Sequence, residues 1–380
     1  MIYFDNSATT KTSDLVLQTV VSDLSSDSLF ANPGALHKLG DSCLKAYEQY
    51  ATRTANCLGC RDDEIIFTSC GTESAITAIN GYVNRNFRRG KTIITTETEH
   101  KATLEVLKQL ETKGFRIKYV KVDLSGKPII DELEKAMDGD TILMCFTHVN
   151  NETGAILPIK DIVALRNSYN KKIAIYLDCV QSVGKLDINL TTLGVEMASF
   201  SGHKIHAVKG VGVLYIKTGI IVEPFILGGG QQGGMRSGTE SLFLANAFAT
   251  ALEETISHKV ESASNVSEIN EYLRKELLAR KALIVSPEDA SPYVLNVSFD
   301  GFESETMLHC LEKYEIYVST ISACSARTKR ISYVLLAMGL DRKIASNSVR
   351  LSFSRYNTMD EAKEFISKVD EIYSLYSLKR

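Results

Sequence analysis

Between residues 65 and 216, short runs rich in β-branched and aromatic residues alternate with segments of helical period, and this alternation restricts the architecture more than any other feature of the chain. The strand-like runs are Ile65 to Thr68, Thr92 to Thr95, Ile117 to Val122, Thr141 to Phe146, Ile173 to Leu177, Met197 to Phe200 and Val211 to Ile216. Helical periodicity separates several of them, as in Lys101 to Lys113, Asp131 to Met137 and Ile159 to Tyr169. Such an order predicts an α/β fold with a mainly parallel sheet covered by helices on both faces. After Glu240 the pattern changes to a long helical stretch from about Ser241 through Arg280, weakly broken near Glu261. A strand at Tyr293 to Phe299, a helix at Glu303 to Tyr314, a strand around Tyr317, a helix at Tyr333 to Met338, a strand at Val349 to Phe353 and a closing helix follow. We therefore expect a large domain over 15–255 and a smaller α+β domain over 256–380, with the segment 1–14 associated with the smaller one.

Charge narrows the possible partners. Lys and Arg total 43 against 46 Asp and Glu, a net charge of −3, and no block of like charge occurs, which argues against direct nucleic-acid binding and against a membrane-surface role. No run of about 18 apolar residues is present, and Met1-Ile2-Tyr3-Phe4-Asp5 lacks the basic-then-apolar pattern of a signal peptide, so a cytoplasmic protein is expected. Eight cysteines at irregular spacing fit reduced thiols better than a disulfide framework. Cys43, Cys70, Cys145, Cys179 and Cys310 read as small core residues, and the lone Cys57-x-x-Cys60 pair has no second ligand pair to make a zinc site.

The chemistry-bearing residues fall where predicted strands end. Ser199-Phe200-Ser201-Gly202-His203-Lys204 closes one strand, and partial desolvation of a lysine there makes its amine nucleophilic, as Schiff-base chemistry requires. Asp178, in Asp178-Cys179-Val180-Gln181-Ser182-Val183-Gly184, stands at the carboxyl end of another, where open α/β sheets bind ligands. A carboxylate there can pair with a pyridinium nitrogen or simply cap a helix, and Gln181 can donate to a neighbouring ring oxygen. Thr68-Ser69-Cys70-Gly71-Thr72-Glu73-Ser74 leads from a strand into a helix, so the amides of Gly71 and Thr72 can cradle a phosphate, with a capping box through Ser69 or Thr72 as the alternative. His100, at a further strand-to-helix junction, can stack on a cofactor ring or move protons.

Taken with His148-Val149-Asn150-Asn151-Glu152-Thr153-Gly154, Gly234-Met235-Arg236-Ser237-Gly238-Thr239, Tyr3-Phe4-Asp5-Asn6-Ser7-Ala8-Thr9-Thr10 and Val349-Arg350-Leu351-Ser352, this series resembles the class V aminotransferase family, specifically its NifS/IscS-like cysteine desulfurases. The resemblance implies the pyridoxal-phosphate-dependent transferase fold type I, with a seven-stranded sheet in the large domain, and a homodimer with two interfacial active sites. Lys204 would hold pyridoxal 5'-phosphate covalently and serve as the acid and base of the reaction, with His100 stacked on the ring and assisting. Asp178 would contact the pyridine nitrogen, and Gln181 and Asn151 the ring-oxygen side. Gly71, Thr72, Ser201 and His203 would bind phosphate, with Thr239 reaching across from the partner subunit. Arg350 would clamp the substrate carboxylate, assisted by Asn32 and by Asn151, a task that suits a planar guanidinium.

Cys324, in Ser322-Ala323-Cys324-Ser325-Ala326-Arg327-Thr328-Lys329-Arg330, is similar to the catalytic cysteine of that group, with Arg327, Lys329 and Arg330 placed to favour its thiolate. The implied reaction removes sulfur from L-cysteine, giving L-alanine and a persulfide on Cys324 for a sulfur acceptor, either an iron–sulfur scaffold or a tRNA-thiolating enzyme. A selenocysteine lyase or other β-lyase on the same scaffold is the alternative enzyme, and a non-catalytic interaction protein the alternative outside enzymes. The chain departs from the family at Ile321, where glycine is usual, and at His206, Ala207 and Val208, where an aromatic residue and Gly-Pro are usual.

Overall fold

The computed structural model describes residues 1–320 and 331–377. The chain begins with β1 (Ile2–Tyr3), α1 (Asp14–Leu24) and α2 (Lys38–Leu58). Alternation then sets in with β2 (Ile65–Thr68), α3 (Gly71–Asn86), β3 (Thr92–Thr96), α4 (Lys101–Thr112), β4 (Arg116–Val120), α5 (Ile130–Ala136) and β5 (Thr141–Thr147). It continues through α6 (Ile159–Tyr169), β6 (Ala174–Asp178), the short α7 (Leu190–Leu193), β7 (Met197–Ser201) and β8 (Gly212–Ile216). These strands form a seven-stranded sheet in the order β2-β8-β7-β6-β5-β3-β4. Only β8 runs against its neighbours, pairing antiparallel with both β7 and β2, so β2, β3, β5, β6 and β7 all present their carboxyl ends at one edge.

Burial on both faces explains why these strands, apart from the half-exposed edge strand β4, read as largely apolar runs rather than alternating ones. Leu177, Phe200 and Val213 join one core with residues of α2 and of α8 (Leu242–Ser257), while Tyr176, Met197 and Leu214 point the other way into a core with α3 and α4. Each fully buried side chain such as Phe200 or Phe248 adds roughly 1.5–3 kcal/mol relative to exposure.

The long helix expected after Glu240 divides at His258, three residues before the expected weak point, into α8 and α9 (Lys259–Ala279). The His258 ring bonds to the Glu254 carbonyl at 2.9 Å and so satisfies the end of α8. Beyond lie β9 (Leu283–Ile284), β10 (Val294–Ser298), α10 (Ser304–Glu312), β11 (Ile316–Tyr317), β12 (Ser319–Thr320), α11 (Tyr333–Ala337), α12 (Arg342–Ser346), β13 (Ser348–Ser352) and α13 (Met359–Ser377). β12, β13, β10 and β9 make a separate antiparallel sheet, packed on α9, α10 and α13 through Val266, Leu273, Phe299, Met307 and Phe365. Where the sequence suggests one strand near Tyr317, two short ones form: β11 pairs in parallel with β1, and β12 joins the antiparallel sheet. Among the described residues no helix is long and apolar enough to cross a membrane.

One buried ion pair ties α6 to the sheet. Arg166, with 3% of its side chain exposed, reaches Glu196 at 2.8 Å and the Gly194 carbonyl at 2.7 Å. Glu196 also accepts from the Ile175 amide at 2.8 Å. Removing one partner of such a pair leaves a buried charge, so Arg166→Met is expected to cost about 3–5 kcal/mol, read as a lowered urea midpoint. A loss below about 1 kcal/mol would show that water replaces the guanidinium there.

Candidate active site

Thr68, Thr96, Thr147, Asp178 and Ser201 end five strands on one edge of the sheet, and a cavity of about 270 Å³ opens in front of them. Gly71, Thr72, His100, Asn151, Asp178, Gln181, Ser201, His203 and Lys204 all line it. Residues separated by more than a hundred positions in sequence therefore meet because parallel strands deliver their ends to one place.

β6 presents Asp178 there, buried, its Oδ1 accepting from the Val180 amide at 3.0 Å. Burial raises its pKa, while His100, the Val180 amide and Lys204 pull it down. No helix starts after β6, so Asp178 is not a helix cap: its Oδ1 closes a turn on the Val180 amide, which engages only one of its two oxygens. Lys204 lies in the turn after β7, and its Nζ donates to the carbonyls of Ser7 at 2.5 Å and Ala8 at 2.6 Å. Gln181 Nε2 donates to the same Ser7 carbonyl at 3.0 Å. His203 Nδ1 bonds Thr9 Oγ1 at 3.1 Å, and burial with the nearby Lys204 and Lys209 charges brings its pKa down to about 4.

His100 caps α4, its Nδ1 accepting from the Ala102 amide at 3.1 Å, which leaves the proton of the neutral ring on Nε2. Its outer face is open, but the dense protein around it lowers its pKa; Asp178 opposes this, and Lys204 and Lys101 add to it. Cys70 occupies the N-cap of α3 and supplies no side-chain acceptor. Neither Ser69 nor Thr72 forms the capping box, and the Ser69 amide instead donates to Glu73 Oε2 at 2.8 Å. The first amides of α3, which no helix can satisfy internally, thus open toward the cavity. Space there is tight: a Cβ on Gly71 would meet Val180 Cγ2 at 3.0 Å, and one on Gly212 would meet the Cys70 carbonyl carbon at 2.6 Å.

Arg350 projects from β13, the antiparallel sheet's contribution to this region. It donates through Nη2 to Asp5 Oδ1 at 2.8 Å and through Nη1 to the Asn151 carbonyl at 3.0 Å, while its buried Nε has no partner. Among the described residues, three predicted ones do not line the cavity of this chain: Arg350, which reaches it only through its bond to the Asn151 carbonyl, Asn32 and Thr239. Asn32 is exposed and its Oδ1 accepts from the Gly34 amide at 2.8 Å, closing a local turn, and Thr239 is likewise exposed and outside the lining. Cys324 lies outside the described residues, as do Ile321, Arg327, Lys329 and Arg330.

Asp5, Ser7 and Lys185 belong to this region although no role was read for them in the sequence. Ser7 lines the cavity with a buried hydroxyl that has no partner, and Asp5 holds Arg350. Only the motif Asp5 to Thr10 hints at them; no local periodicity connects residue 5 with residue 350. Cys70, read as a core residue, instead lines the cavity and is only partly buried, because the turn into α3 faces outward. Cys43, Cys145 and Cys179 are buried, whereas Cys310 is partly exposed. Burial pushes the thiols of Cys57 and Cys60 up to about 11 and about 12, which keeps them protonated.

The family model described as aminotransferase class-V matches residues 2–365. The chain belongs to the class-V aminotransferase family. Within this aminotransferase family it is 41% identical to a NifS/IcsS protein homolog of Lactobacillus delbrueckii subsp. bulgaricus, over 99% of this chain and 98% of that one. It is 38% identical to the cysteine desulfurase IscS of Salmonella typhi, over 95% of this chain and 89% of the relative. Among solved structures, a NifS-like protein superposes with a TM-score of 0.93 at 38% identity, covering 98% of this chain and 99% of the other. SspA in complex with cysteine superposes with a TM-score of 0.81 at 30% identity, covering 94% and 100%.

Glu152 stands beside the cavity residue Asn151, buried, with Oε2 accepting from Ser332 Oγ at 2.5 Å. Burial pushes its pKa up to about 7 from 4.5, against the Ser332 bond and the Arg350 and Lys101 charges. The folded protein therefore binds a proton that the unfolded chain releases between pH about 4.5 and about 7, so stability falls as pH rises through that window. Glu152→Gln is expected to flatten this fall by on the order of 3 kcal/mol, measured by urea unfolding at about pH 5 and about pH 8. An unaltered fall would mean that Glu152 ionises like an exposed carboxylate.

Proposed function

We propose that the chain is a cysteine desulfurase that takes sulfur from L-cysteine, releases L-alanine and carries the sulfur as a persulfide on Cys324. The observation that carries the reading is the convergence of a buried carboxylate at Asp178, the Lys204 amine and the uncapped start of α3 on one cavity. That set fits pyridoxal 5'-phosphate. Asp178 would meet the pyridine nitrogen, His100 the ring face, and Gln181 and Asn151 the oxygen side. Gly71, Thr72, Ser201, His203 and the partner's contribution from Thr239 would hold the phosphate. The buried Ser7 hydroxyl without a partner and the closeness of Gly71 to Val180 and Ser201 support a built cradle rather than an accidental hollow.

The cofactor would supply an electron sink that weakens the bonds at the substrate's α-carbon. Arg350 would receive the substrate carboxylate, with Asp5 giving up its bond to Nη2. Lys204 Nζ would move the proton at the α-carbon, with the Nε2 proton of His100 within the same cavity. The Cys324 thiolate would attack the substrate sulfur: an S–S bond forms as the C–S bond breaks, the electron pair stays with carbon, and a proton completes alanine.

The sulfur acceptor would be an iron–sulfur scaffold or a tRNA-thiolating enzyme. Pairing of two copies is supported by exposed apolar side chains on α1, namely Leu15, Leu17, Val21 and Leu24, with Phe30 and Leu36 beyond it. A division into domains 15–255 and 256–380, with 1–14 beside the second, is supported by the break at His258 and by the β1–β11 pairing. A cytoplasmic location is in keeping with the free thiols at all seven described cysteines.

The test is a visible spectrum of the purified protein followed by assay of sulfide and alanine from L-cysteine. A visible band with alanine formed in step with sulfide is expected. A colourless protein that pyridoxal phosphate cannot reconstitute would overturn the reading.

A further inference from the structure

We propose that Lys185 is a positioning residue for the Lys204 amine: it fixes the Gln181 carboxamide that shares the Ser7 carbonyl with Lys204, and its own positive charge acts on Lys204 through a second crevice. This rests on the cofactor reading above.

Lys185 directly follows the Asp178 to Gly184 motif and lies four residues after Gln181. Its Nζ donates to Gln181 Oε1 at 3.0 Å and sits 5.5 Å from the ring centroid of Tyr293. An ammonium offers only donors, so it admits only the oxygen of the carboxamide and forces Nε2 toward Ser7. Gln181 thereby gives one N–H to the Ser7 carbonyl at 3.0 Å and keeps the second available on the same nitrogen.

The crevice of about 30 Å³ that Lys185 lines is shared with Lys204, His206 and Arg355, and no carboxylate lines it. Two acidic groups act on this cluster: Glu254 is engaged by Arg355 at 2.6 Å, and Asp178 faces Lys204 from the cavity side. Burial, together with the Lys204 and Arg350 charges, brings the pKa of Lys185 down to about 7. Repulsion between two ammonium groups is mutual, so a charged Lys185 favours the uncharged form of the Lys204 nitrogen.

The experiment is a pH titration of the visible band of the cofactor-loaded protein, without cysteine, for wild type, Lys185→Gln and Lys185→Arg. Loss of the charge is expected to move the midpoint up by about half a unit or more. Arginine remains charged where lysine begins to neutralise, so its midpoint is expected to move down. For Lys185→Gln, kcat is expected to fall about tenfold with KM for cysteine little changed, because Lys185 touches neither Arg350 nor Asn151. Midpoints that move the same way in both variants, or by less than about 0.2 unit, would overturn the inference. Should Lys185→Gln fail to fold, an unshifted midpoint in Lys185→Arg overturns it alone. A wild-type protein without a visible band overturns the cofactor reading instead, and this inference with it.

Discussion

Lys204→Ala is expected to lose the visible band and to slow alanine formation by about 10⁴-fold or more, the upper end of what a positioned proton-transfer group contributes. The expectation follows from position. Lys204 is the amine that lines the cavity directly beside Asp178, and its Nζ is fixed by the Ser7 and Ala8 carbonyls at 2.5 and 2.6 Å. Among the described residues no other amine lines the cavity: Lys185 is turned toward Gln181 and lines the neighbouring crevice. On the proposed function, Lys204→Ala would remove both the covalent anchor and the proton carrier, so added methylamine should restore a small part of the rate by supplying the latter. A variant that retains its colour and more than about a tenth of the rate would remove Lys204 from the chemistry.

Cys324→Ala is expected to abolish sulfide release from cysteine, by at least about 10³-fold, as deletion of a nucleophile without a substitute does. Cys324 lies outside the described residues, and its place in the sequence motif carries this expectation. A free thiol has a pKa of about 8.5, and the positive charges of Arg327, Lys329 and Arg330 close by in sequence would favour the thiolate. Colour and the spectral response to cysteine should survive, because Asp178, Gln181 and Lys204 are untouched. Alanine would then form at no more than the background rate. Full turnover in the variant would favour the β-lyase alternative, in which the cysteine is dispensable.

Much of this was legible in the sequence, and the reasons are local. Six of the seven strands of the main sheet were readable because burial leaves short, largely apolar runs, the half-exposed edge strand β4 was readable from Ile117, Tyr119 and Val120, and β2 and α6 form over the residues expected. The residues that line the cavity were readable because strand ends carry recognisable motifs, from Thr72 to Lys204. What stayed hidden depends on contacts between distant segments. Nothing near Asp5 signals that its carboxylate meets Arg350, and nothing near Lys185 signals that Gln181 takes its proton donor. The reversed direction of β8 was hidden too, because a buried antiparallel strand and a buried parallel one look alike in composition. Asn32 shows the converse, a residue whose motif fits a role while its side chain closes its own turn.

The stitching of the first residues carries a consequence for how the molecule is made. Phe4 packs against Phe353 and Phe365, Asp5 bridges to Ser352, and Thr10 donates to the His203 carbonyl. These residues emerge from the ribosome long before the partners they need, by roughly 20–70 seconds for Phe353 at ordinary synthesis rates. During that interval Phe4 has no core to enter, and neither Lys204 nor Arg350 has its final neighbours. The site is therefore completed only after β13 and α13 have been made, and cleavage or trapping of the amino-terminal segment before then would prevent its completion.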